Sequence, residues 1–145
     1  MSYNLTLAIC AFAAFFCLID ARHVHQQSSS DNNNSTVVSN GETDSGAATY
    51  YDPSMGACGI LSMGDELVCA IPDALYDTKT IGGNPNNNAF CGQKISVTGP
   101  KGTVVVTIVD RCGSCKGGDL DLSRPAFDAI RDPTNGRVPI TWSFI

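Results

Sequence analysis

The chain has 145 residues, room for one domain, and a net charge of −5 with no basic stripe, which sets nucleic acid aside as a partner. Its two histidines, His23 and His25, both stand near the amino terminus. The remainder therefore has no Ser-His-Asp or Cys-His arrangement and lacks the commonest zinc ligand, so any acid–base chemistry falls to carboxylates.

Residues 5–19, LTLAICAFAAFFCLI, form an apolar run of signal-peptide length, followed by a small residue at Ala21. Residues 1–21 are read as a signal peptide. The alternative, a membrane anchor, would want a longer run. Residues 22–45 are rich in Ser, Asn and Gln and read as a disordered leader. Asn33 and Asn34 each begin an N-x-Ser/Thr glycosylation sequon there. The folded unit is expected over 46–145. It carries 8 Lys and Arg against 10 Asp and Glu, a nearly balanced surface.

Short strands dominate this unit. Residues 48–51, ATYY, are β-prone and end at Asp52-Pro53. Residues 66–71, ELVCAI, read as a strand entering the core, with a short helix after it around 72–76. Residues 94–98, KISVT, alternate with period two; GPKG at 99–102 is a turn; TVVVTIV at 103–109 returns, completing a hairpin. Ser123 is placed to cap a helix over 124–130, with Pro125 in its first turn. A turn at 132–136 leads to a last strand over 138–145. Trp142 on that strand reads as core. The sum is an all-β unit, a small closed barrel with one or two short helices.

Of 7 cysteines, Cys10 and Cys17 fall in the signal segment, leaving the odd number five. A secreted chain meets oxidising conditions, where disulfides form. Cys69, inside an apolar run, behaves as a small hydrophobe and is the expected free thiol. A Cys58–Cys91 bond would close a loop of about 34 residues, and a Cys112–Cys115 bond a very short one. The C-x-x-C pair has two other readings. A redox pair opens a helix, whereas Lys116-Gly117-Gly118 here breaks one. A zinc site needs about two further ligands that no second C-x-x-C or histidine supplies.

Four blocks in order carry a resemblance: GAATYYDPSMGACG (46–59), GGNPNNNAFCGQKISVTGPKG (82–102), VTIVDRCGSCKGGDLDLSRPAFDAI (106–130) and GRVPITWSFI (136–145). Together they resemble the six-stranded double-psi β-barrel of the expansin/RlpA superfamily, and most of all the single-domain fungal expansin-like proteins called loosenins. The resemblance spans the whole expected unit. It implies a secreted, monomeric, cofactor-free protein that binds and loosens cell-wall polysaccharide of the cellulose or chitin type without hydrolysing it. It also implies that Thr49, Asp110 and Asp121 line the groove, with Tyr50 or Tyr51 supplying a ring where Cys112 stands in place of the bacterial tyrosine. Asp121 matches the general acid of family-45 glycoside hydrolases, and Asp52 falls where their base would be. Asp119, two residues before Asp121, is expected on the same face and the more exposed of the two. Two alternatives remain beside wall loosening: a family-45-like endoglucanase or lytic transglycosylase, and a small protease inhibitor or effector on the same fold.

Overall fold

The computed structural model describes residues 41–145 other than 133; the expected signal segment, most of the expected leader, Asn33 and Asn34 lie outside these residues. The chain runs β1 (Asp44–Tyr51), β2 (Val68–Pro72), α1 (Asp73–Tyr76), a 3-10 turn (Asp77–Lys79), β3 (Thr80–Ile81), β4 (Asn84–Asn88), β5 (Lys94–Gly99), β6 (Gly102–Cys112), β7 (Leu120–Ser123), α2 (Arg124–Ile130) and β8 (Val138–Phe144). Six strands close into a barrel in the order β1-β7-β2-β6-β5-β8, and β3 and β4 form a separate two-stranded sheet. Closure leaves the barrel no unpaired edge. Two parallel pairs, β1 with β7 and β2 with β6, interlock with the antiparallel pairs. This is a double-psi barrel.

Period two along the strands fills its interior. Ile95 and Val97 of β5, Val104, Val106 and Ile108 of β6, Leu120 and Leu122 of β7, and Val138, Ile140 and Trp142 of β8 are all buried. Trp142 is core, as its strand position suggests; its indole N–H donates to the Gly118 carbonyl at 2.8 Å. All five residues of β2 are buried, because β6 and β7 pair with it on either side. Helix α2 covers one barrel end with Ala126, Phe127 and Ile130, and Lys101 N–H caps the Ile130 carbonyl at 3.1 Å.

Several expectations shift. The leader was expected to run to residue 45, but β1 begins at Asp44, because Asp44 and Ser45 pair with Trp142 and Thr141 of β8. Strand β6 does not stop at 109; pairing with β2 carries it to Cys112. Ser123 occupies the helix-cap position, yet its hydroxyl accepts the Val68 N–H at 3.3 Å instead of capping α2. Strand β4 is NPNNN, a composition that argues against a strand from sequence. Its anchor is Asn88, whose buried amide donates to the Tyr76 carbonyl and Thr80 hydroxyl and accepts the Phe90 N–H.

Both expected disulfides are present, Cys58–Cys91 and Cys112–Cys115. Cys69 is the free thiol, fully buried between its β6 and β7 partners Ile108 and Leu122, and burial pushes its thiol well above the usual range.

Candidate functional site

Strand registry places the expected groove residues in one row. Thr49 of β1 lies opposite Asp121 of β7, Asp121 opposite Ala70 of β2, and Ala70 opposite Asp110 of β6. The row Thr49–Asp121–Ala70–Asp110 therefore crosses four adjacent strands at one level. Their neighbours Ala48, Leu120 and Leu122 point into the core, so Thr49 and Asp121 point outward. With strands about 4.8 Å apart, the two aspartates sit roughly 10 Å apart at their Cα atoms, separated only by the methyl group of Ala70.

Tyr51 shares the outward face with Thr49. It packs against Ala70 and the Cys112–Cys115 pair, a small cluster outside the main core. Its hydroxyl oxygen is buried without a hydrogen-bond partner. Burial pushes this hydroxyl well above the usual phenol range, and Asp110, Cys69 and Asp121 act in the same direction. The short disulfide thus forms a floor beneath the ring, between the two carboxylates in sequence.

The two row aspartates are held differently. Asp121 accepts the Thr49 hydroxyl at 2.9 Å. Burial raises its carboxyl above the usual range, Asp110 adds to that, and the Thr49 hydrogen bond works against it. Asp110 Oδ1 accepts two backbone N–H groups, from Ala57 at 2.7 Å and its neighbour Arg111 at 2.7 Å. A bulge aims it. Cys69 pairs with Ile108 but Ala70 with Asp110, so Val109 is an extra residue on β6. The segment after β1 closes over the bulge, with Cys58 N–H on the Val109 carbonyl at 3.2 Å. Gly56 permits this approach: a Cβ there would overlap the Val109 carbonyl and come within 3.2 Å of Asp110 Cγ.

Other expected site residues stand elsewhere. Asp119 was expected to be the exposed member of the pair, but its side chain is only 14% exposed and is fully engaged. It accepts Ala47 N–H at 2.8 Å, Lys116 N–H at 3.3 Å and the Arg137 guanidinium at 2.7 Å. Burial works against its charge, yet these three donors hold its carboxyl below the usual range. It ties the 116–119 turn to β1, where Gly46 and Gly118 meet without room for a Cβ on either. Asp119→Ala is expected to cost about 1–3 kcal/mol by orphaning the Ala47 N–H. Because its folded pKa is depressed, this contribution is present above the unfolded carboxyl range and is lost as pH falls through the folded pKa. Chemical denaturation at several pH values measures both: the gap between wild type and variant should close in acid.

Tyr50 has the opposite parity to Thr49 and Tyr51 and lies off the row, opposite Leu122. It packs at 5.2 Å from Phe127, and the Arg124 guanidinium lies 3.7 Å above its ring. Asp52 is exposed, one residue past β1 and off the row. Arg111, beside Asp110, forks onto Asp77 at 2.8 and 2.7 Å. Among the described residues, no group of three or more His, Cys, Asp or Glu is placed to hold a metal ion.

Sequence reasoning named the two aspartates, Thr49 and Tyr51, which strand registry brings to one face. It missed Ala70, the donors at 56–58 and the bulge at Val109, which become visible only when β2 is in register with β6 and β7. The only signal was Gly56 within the quoted MGACG.

Residues 43–142 match the family model described as lytic transglycolase, a double-psi β-barrel. The chain belongs to the RlpA-like double-psi β-barrel family. Among members of this barrel class it is 36% identical over 109 residues to a papain inhibitor of Streptomyces mobaraensis, covering 72% of this chain and 73% of that one. A solved Streptomyces papain inhibitor superposes with a TM-score of 0.66 at 33% identity, over 74% of this chain and 98% of that chain. A mutant expansin of Clavibacter michiganensis, solved in complex with cellohexaose, superposes with a TM-score of 0.61 at 32% identity over 72% of this chain. This barrel spans 50% of that expansin's length.

Proposed function

We propose that the protein is a secreted, expansin-like protein that binds cell-wall glycan along the Thr49–Asp121–Ala70–Asp110 row and loosens it without cutting it. The row itself carries this reading. It offers partly exposed carboxylate and hydroxyl groups on either side of Ala70 that accept hydrogen bonds from sugar hydroxyls. Beside it, the half-buried Tyr51 offers ring surface. The similarity to an expansin solved in complex with cellohexaose supports a glycan as ligand. Two disulfides fit an oxidising, extracellular setting.

The chemistry of the pair supports binding without cleavage. Asp121, with its raised carboxyl, is suited to hold a proton, as a general acid must. Inverting hydrolysis also needs a second carboxylate free to activate water. Asp110 has one oxygen committed to two backbone N–H groups, and Asp52 lies off the row. Incubation with insoluble cellulose and chitin tests the reading: the protein is retained and no reducing ends appear. New reducing ends that vanish with Asp121→Asn would make it an endoglucanase or transglycosylase instead.

A second reading is inhibition of a papain-like cysteine protease. It is favoured by the exposed apolar loop between β1 and β2 and by the similarity to the papain inhibitor over 73% of that protein.

A further inference from the structure

The 53–67 loop departs from the rest of the surface. Met55, Ile60, Leu61, Met63 and Leu67, five large exposed hydrophobic residues, fall within thirteen positions, with Leu61 62% and Met63 59% exposed. Such a concentration of apolar surface marks an interaction site. The loop is also fixed in shape. Cys58 is bonded to Cys91 and Ala57 N–H to Asp110. Gly56 N–H meets the Ile60 carbonyl, Ser62 N–H the Ser54 carbonyl, and Met55 bridges to Leu61. Glu66 accepts the Met63 N–H at 3.0 Å. A loop already held in its bound shape loses little entropy on docking.

Beside its tip stands β4. Asn86 packs so closely on Gly59 that a Cβ there would come within 2.9 Å of its amide. Asn84 and Asn86 are exposed; the Asn84 side-chain oxygen accepts the Asn86 N–H at 3.1 Å, and the Asn86 side-chain amide has no hydrogen-bond partner among the described residues. An apolar centre with an amide rim is the anatomy of a protein interface.

We propose that this loop is a wedge that docks in the substrate cleft of a papain-like cysteine protease, its apolar tip in the cleft and the β4 amides on the cleft's exposed backbone. The inference rests on the inhibitor reading above and assigns it a surface distinct from the aspartate row. Inhibition here is occupation alone; no bond forms or breaks. Other occupants fit the loop less well. Residues 55–67 hold no aromatic ring to stack on a sugar. They hold no Lys or Arg, while Asp65 and Glu66 and a net charge of −5 oppose an anionic lipid surface. Pairing with a second copy would set the same carboxylates against each other.

Papain is the probe, assayed with wild type, Leu61→Asp/Met63→Asp, Met63→Asp alone, and Val105→Asp as an exposed apolar control on β6. Thermal unfolding confirms that each is folded. The wedge predicts that wild type inhibits papain reversibly, that the double variant is at least tenfold weaker with the single one between, and that Val105→Asp inhibits as wild type does. Inhibition untouched by the double variant would overturn the wedge and leave the inhibitor reading standing. A wild type that does not inhibit papain would overturn both. Loss of glycan retention in the double variant, with papain inhibition intact, would reassign the loop to the glycan surface.

Discussion

Replacing Cys58 and Cys91 together by alanine is expected to lower stability by about 3–4 kcal/mol, since their bond closes a loop with a sequence separation of 33. The domain is small, so this is a large share of roughly 5–15 kcal/mol. The bond also organises its surroundings. The Tyr76 hydroxyl lies 3.4 Å from Cys58 Sγ and 3.2 Å from Cys91 Sγ and donates to the Pro85 carbonyl at 2.7 Å. Through Cys58 the bond also fixes the segment that presents Ala57 N–H to Asp110. A thermal melt should therefore show the midpoint falling by roughly 15–25 °C. Breaking Cys112–Cys115 should cost only about 2 kcal/mol, because its loop is short. Its heavier consequence falls on binding, since it is the floor under Tyr51. A Cys58/Cys91 double variant melting within a few degrees of wild type would show that the barrel does not depend on that staple.

Asp121→Ala is expected to weaken retention on insoluble glycan by about 10–100-fold, the loss of one or two hydrogen bonds to a charged acceptor. The same position should behave oppositely for stability. Burial and the nearby Asp110 raise the Asp121 carboxyl, so its ionised form is carried at a cost to the fold. Asp121→Asn keeps an acceptor for the Thr49 hydroxyl and drops the charge, so at neutral pH it should unfold at a higher temperature than wild type. A raised carboxyl favours the folded state only in its protonated form, so this advantage shrinks as pH falls and wild-type Asp121 takes up its proton. Weaker binding with higher stability is the signature of a residue kept for function. A residue kept for structure, as Asp119 is, loses stability when replaced.

The β5–β6 hairpin was legible because its pattern is local: alternating 94–98, a turn, and a returning apolar run. Helix α2 was legible from Pro125 and its apolar face, although Ser123 before it does not cap it. The free thiol was legible from the apolar setting of Cys69, whereas the four remaining cysteines allow about three pairings, among which the fold selects Cys58–Cys91 and Cys112–Cys115. Period two separated Tyr50 from Tyr51, though only the structure shows which one faces the row. What local pattern could not give was registry. Asp110 and Asp121 face the same residue of β2, Ala70, which is 40 and 51 positions earlier in the chain, through one parallel and one antiparallel pairing. The resemblance brought them into one groove; the bulge at Val109 and the small Ala70 explain how they fit there. Asp119 misled because an acidic residue beside a groove residue looks equivalent in sequence. Its engagement depends on Ala47 and Arg137, which the chain brings in from β1 and from the turn before β8. Strand β4 was hidden because tertiary hydrogen bonds at Asn88 override its poor β propensity.

One incubation tests the central claim most directly. Wild type and Asp121→Ala are mixed with washed cellulose and chitin, and both the protein left in solution and the reducing ends released are measured. Wild type should be depleted from solution on at least one of them with no new reducing ends, and Asp121→Ala should stay in solution. Reducing ends released by wild type but not by the variant would contradict binding without cleavage, and equal retention of the two proteins would remove the aspartate row as the glycan site.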